Sequence, residues 1–142
     1  MIAICIANKI TDVNGVYPLS SYDESVKPLN YEFDLVPQEK YLVLGFKSMN
    51  GNPWIYYAKA YGDIQAEVAP LILFNFQMTL FLSQNFIATK PNGDGFEMVP
   101  PQLSEIENWF EKYCCSENRS VIKVVDELVE NLRVEYFSKL NS

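Results

Sequence analysis

A chain of 142 residues, 49% hydrophobic and 14% aromatic, carries enough apolar surface for one buried core, which excludes a disordered chain. Eleven Lys and Arg against 18 Asp and Glu give a net charge of −7, which argues against nucleic acid or an anionic membrane surface as ligand and leaves room for a basic protein partner. There is no histidine, which removes Ser-His-Asp and Cys-His catalysis, histidine-ligated zinc and the usual base near neutral pH.

Ile2, Ile4 and Ile6 alternate with small residues and predict a short strand that packs Cys5 as a small hydrophobe. The leading MIAICIANK lacks a basic region and does not read as a signal peptide. Residues 11–30, with Gly15, Pro18 and Pro28, predict a long loop, with a short element at 20–25 as an option. Tyr31, Phe33 and Leu35 alternate with Glu32 and Asp34, which predicts a half-buried strand with an acidic outer face, stopped by Pro37.

YLVLGFKSM and WIYYAKAY flank Asn50-Gly51-Asn52-Pro53 and predict a hairpin. In its second arm Trp54, Tyr56, Ala58 and Ala60 share one face, and Ile55, Tyr57, Lys59 and Tyr61 the other. Residues 69–87, APLILFNFQMTLFLSQNFI, form the longest apolar-rich run. Ile72, Phe74, Phe76, Met78, Leu80 and Leu82 fall on one parity and predict a face turned to the helices. One long bent strand, two strands with a link near 75–77, and a helix are the alternatives. The polar residues in the run exclude a transmembrane helix. Residues 90–95 predict a turn, and Phe96, Met98 and Val99 a last strand ended by Pro100-Pro101.

Ser104 and Glu107 fit a capping box ahead of an amphipathic helix through Ile106, Trp109, Phe110, Tyr113 and Cys114, with Cys114 in the core. A second helix spans about 120–140 on a stripe of Val121, Val124, Val125, Leu128 and Leu132, with Glu135 and Lys139 paired. The whole predicts a single α+β domain, strand-rich over 1–100 and helical over 101–142. A mostly antiparallel twisted sheet of about five or six strands carries two C-terminal helices on one face.

Three cysteines, two of them adjacent, point away from a disulfide framework and towards a reducing, cytoplasmic setting, with Cys115 exposed and oxidisable. No zinc, calcium, phosphate-cradle or nucleophile-elbow motif is present, so no metal or cofactor is expected. Glu32, Asp34, Asp63 and Glu67 offer carboxylates, with solvated surface acids the simpler reading.

Aromatic residues on the sheet face away from the helices suggest a protein-binding surface, ordinary cross-strand pairing being the alternative. The candidate binding residues are Tyr41, Tyr57, Lys59, Tyr61, Asp63, Glu67 and Phe81. The expected function is a non-catalytic acidic protein-binding domain, of the kind represented by immunity proteins that neutralise a toxin enzyme. The alternatives are a small-ligand binder or histidine-free enzyme using Asp63, Glu67, Tyr57 and Lys59 in a pocket between sheet and helices, and an oligomerising domain that pairs residues 69–87 with a second copy.

Overall fold

The hairpin organises the molecule. Strand β2 (Lys40–Met49) and strand β3 (Asn52–Lys59) are joined by Asn50 and Gly51 alone, at φ 50° and 80°. Two successive left-handed residues make the turn whose twist matches an antiparallel pair, and Asn-Gly adopts it at least cost. The computed structural model describes residues 1–13, 22, 26, 28–77, 82, 84–89 and 95–141.

Around this pair lie β1 (Ile2–Cys5), β4 (Glu67–Pro70), β5 (Phe74–Gln77), β6 (Ile87–Thr89) and β7 (Glu97–Val99). Every pairing is antiparallel, in the order β4-β3-β2-β1-β5, with β7 on β2 and β6 on β7. The helices follow: α1 (Pro101–Ser104), α2 (Trp109–Cys114) and α3 (Arg119–Leu140). The fold is α+β, with a predominantly antiparallel sheet and its helices at the C-terminal end.

The sheet is rolled. Strands β4 and β5 lie at opposite ends of the order, yet only the 3₁₀ turn Leu71–Leu73 links them. Four strand spacings in a flat sheet amount to roughly 19 Å. The four Cα steps from Pro70 to Phe74 reach about 14 Å at most. Closure is visible in the rings: Phe74 of β5 stands 5.7 Å from Tyr57 of β3 and 6.3 Å from Tyr41 of β2. A bulge between Val43 and Gly45 helps β2 to bend. Gly45 itself lets β7 approach, because a Cβ there would stand 2.7 Å from the Met98 carbonyl oxygen.

Rolling gives two cores. The outer face carries Ile2, Leu42, Leu44, Tyr56, Ala58 and Val99 against Leu103, Trp109 and the α3 stripe Val121, Val125, Leu128, Val129, Leu132 and Tyr136. The inner face carries Ala3, Cys5, Tyr41, Val43, Trp54, Ile55, Tyr57, Ala69, Leu73 and Phe74, closed over by Ile10, Tyr22, Val26 and Leu35 of the long loop.

Several expectations are corrected. The sheet face away from the helices is not open, because Ile10, Tyr22, Val26 and Leu35 pack over it; Tyr41 and Tyr57 are each 2% exposed. Residues 31–35 form no strand. Their amides find single partners instead: Phe33 N–H donates to the Asn8 carbonyl at 2.8 Å and Leu35 N–H to the Phe33 carbonyl at 2.7 Å, and the next amide, Val36 N–H, donates to the Tyr41 hydroxyl at 2.8 Å. The run at 69–87 is neither one strand nor a helix: it breaks at Leu71–Leu73, and Phe74 and Phe76 pack on the inner face rather than towards the helices. Trp54 also packs on the inner face, apart from Tyr56, Ala58 and Ala60.

Ser104 does not cap a helix. Pro101 starts α1 early, and the Ser104 hydroxyl donates back to the Pro101 carbonyl at 2.9 Å. The first predicted helix is therefore two short ones, and Cys114 is exposed because α2 ends at it. Phe81, residues 90–94 and most of 14–27 lie outside the described residues.

Candidate functional site

Arg133 of α3 anchors the backbone of two residues that line the site, Lys59 and Gly62. Its Nε and Nη2 donate to the Lys59 carbonyl at 3.2 and 3.0 Å, and its Nη1 to the Gly62 carbonyl at 2.8 Å. The planar fork of a guanidinium suits two neighbouring carbonyls, and it fixes the chain where β3 leaves the sheet. Gly62 turns there at φ 85°. The Tyr57 hydroxyl donates to the Asp34 carbonyl at 3.0 Å, which holds the covering segment down on β3. The Tyr61 hydroxyl donates to Glu39 Oε2 at 3.0 Å.

A cleft of about 400 Å³ is lined by Asp34, Tyr57, Lys59, Tyr61, Gly62, Asp63, Gln65 and Glu67. Three carboxylates face a single ammonium group. Glu67 is half-buried, and its carboxyl is raised above the ordinary range, first by burial and then by the charge of Asp34. Tyr57 is raised too, by burial first and then by Glu67 and Asp34, so its hydroxyl keeps its proton.

Five of the predicted residues, Tyr57, Lys59, Tyr61, Asp63 and Glu67, are thus brought together. Tyr41 is not among them. It sits in the inner core, and its hydroxyl accepts from Val36 N–H. Phe81 lies outside the described residues. Asp34, offered by the sequence as a carboxylate beside Glu32 with a solvated surface acid the simpler reading, joins them. The signal that could have placed it is its position between Phe33 and Leu35, both of which pack on the inner core. The pocket is also not between sheet and helices, as expected for a ligand site, but on the loop-covered side.

A second hollow of about 450 Å³ shares Asp34, Tyr57 and Glu67 and continues over Tyr31, Phe33, Trp54 and Val68. Its rings meet edge to face, Tyr31–Phe33 at 4.8 Å and Phe33–Trp54 at 6.0 Å. Trp54 is 4% exposed, and its Nε1 has no hydrogen-bond partner among the described residues. Cleft and hollow together form a groove, acidic at one end and aromatic at the other.

A further cleft, about 570 Å³, lies on the helix side. There Glu97 accepts from the Tyr56 hydroxyl at 2.9 Å and from Trp109 Nε1 at 3.1 Å, while Lys47 Nζ stands 5.7 Å from the Tyr56 ring centre. Burial lowers Lys47, and Glu97 opposes that shift. Both Glu97 oxygens are engaged by α2 and β3, so this cluster holds the helices to the sheet. Sequence reasoning missed it because its members come from four separate elements.

Among the described residues no group of three or more Cys, Asp or Glu is placed to hold a metal, and no helix is long and apolar enough to cross a membrane. No family model, curated protein or solved structure matches the chain.

Proposed function

We propose that this chain is a non-catalytic acidic binding domain that captures basic side chains of a partner protein in the cleft of Asp34, Asp63 and Glu67, as an immunity or inhibitor protein would block a basic enzyme surface. The observation that carries the reading is the convergence of three carboxylates with Tyr57 and Tyr61 around one concave site, in a chain of net charge −7. A lysine or arginine entering there meets carboxylates on both sides and an aromatic wall, which suits a cation with an apolar stem. The Tyr57 hydroxyl already donates to Asp34, and no neutral-pH base is present, which supports binding over proton transfer.

Titration with arginine-rich and lysine-rich peptides, followed by tryptophan fluorescence, tests this. Saturable binding that weakens with salt is expected, together with a drop of about tenfold or more in a Glu67→Gln/Asp34→Asn double variant. Equal binding by wild type and variant, or none by either, would sink the reading. In cells, the corresponding test is rescue from a toxin enzyme encoded beside this chain, with rescue lost in the same variant.

One observation favours a second reading, a small organic ligand. The aromatic hollow beside the cleft lies within the roughly 300–1,000 Å³ of ligand pockets and contains a buried indole N–H without an acceptor among the described residues. A rise in melting temperature with an aromatic amine but with no basic peptide would favour it.

A further inference from the structure

Cys114 and Cys115 end α2 with their sulfurs 2.9 Å apart, and both residues are exposed. The third cysteine, Cys5, is fully buried and donates to the Ala7 carbonyl at 3.2 Å. Tyr113, immediately before the pair, reaches across to the sheet, where its hydroxyl accepts the Ala66 N–H at 3.0 Å. Ala66 leads directly into β4 and Glu67.

We propose that Cys114 and Cys115 are a redox-modification site, a vicinal dithiol that closes reversibly to a disulfide by exchange with a low-molecular-weight disulfide and changes the hold of Tyr113 on Ala66. The Cys114 thiol is pushed up to about 11, by desolvation first and then by the hydrogen bond and charge of Cys115. Cys114 therefore keeps its proton longer. One thiol of the pair, as its thiolate, attacks one sulfur of the small disulfide, forming a mixed disulfide and expelling one thiolate. The other thiol then loses its proton and attacks the modified protein sulfur, expelling the second. Two protein thiols are oxidised by two electrons, and one small disulfide is reduced to two thiols.

Neighbouring Cα atoms stand about 3.8 Å apart, short of the usual disulfide span of roughly 4.4–6.8 Å, so closure must twist the 114–115 peptide. A strained bridge is readily reduced, which makes it a switch rather than a staple. The twist falls where the helix is already ending: the Cys115 and Ser116 amides both donate to the Glu111 carbonyl, at 2.9 and 3.2 Å. The nearest long-range contact upstream is the Tyr113 bond.

The test uses the full chain with glutathione disulfide. Loss of two titratable thiols without attached glutathione or covalent dimer is expected, with Cys5 still free and dithiothreitol restoring all three. Exchange of the Ala66 amide should speed up severalfold in the oxidised form. Cys115→Ser should give only a mixed disulfide at Cys114, and its far-ultraviolet dichroism should match wild type. Retention of all thiols, stable glutathione on the wild-type pair, or covalent dimers would overturn the site. Unchanged Ala66 exchange in a chain that has closed the bridge would overturn the link to the sheet.

Discussion

The hydroxyls of Tyr41 and Tyr57 do the same job in opposite directions. Tyr57 donates to the Asp34 carbonyl, whereas Tyr41 accepts from the Val36 amide. Tyr57→Phe leaves a carbonyl beside an open cleft, where water can reach it, and should cost about 1 kcal/mol in urea unfolding. Tyr41→Phe takes the acceptor from the amide of Val36, a residue 53% exposed where water can replace it, and should also cost about 1 kcal/mol. A loss of several kcal/mol in either variant would mean that the hydroxyl holds down the whole covering segment. Glu67 gives a pH prediction at the same scale. Its carboxyl is raised in the folded chain, so the folded state binds the proton more readily than the unfolded one. Its contribution therefore favours folding below the ordinary carboxylate range and is lost as pH rises through the raised value. Glu67→Gln should raise the melting temperature at pH 7 and flatten its dependence on pH in the mildly acid range. Capture of a cation needs the ionised form, so peptide binding should weaken as pH falls over that same range.

The elements differ in how plainly the sequence wrote them. The hairpin was legible because Asn50-Gly51 is a local signal with a local cause, and α3 because its apolar stripe repeats over 22 residues. Asn118 starts α3 by accepting from Ser120 N–H at 3.2 Å and Val121 N–H at 3.3 Å. Asn118→Ala should cost about 1 kcal/mol, measured by thermal unfolding. The break at Leu71–Leu73 was not legible, because alternation there continues through residues that change sheet edge. Nor was burial of the second face read, although β2 carried the clue: Tyr41 and Val43 are as apolar as Leu42 and Leu44, and a strand apolar on both parities is covered on both sides. Five cleft residues were found because they cluster around the end of one strand; Asp34 was not placed with them because only the roll and its covering loop bring it there. At Gly45 the crowding is with backbone of β7, which cannot swing aside as a side chain could. Gly45→Ala should therefore cost about 1–3 kcal/mol by chemical denaturation, despite its better intrinsic propensity.

For the molecule as a whole, the roll depends on Phe74 meeting Tyr57 and Tyr41 across the inner core. Phe74→Ala should cost about 3–5 kcal/mol and loosen β4 and β5 together, seen as amide exchange rising in both strands at once. The roll also places β1 between β2 and β5, with Ile2 opposite Leu42 on one side and Gln77 on the other. Strand β1 thus leaves the ribosome well before its neighbours do, since one partner lies about forty positions later and the other about seventy-five. During synthesis the hairpin can close on its own, while β1 waits as an unpaired apolar strand until residues 74–77 have emerged. That interval is when a nascent chain of this kind is most exposed to aggregation and to chaperone capture, and a stall placed just before residue 74 should prolong it.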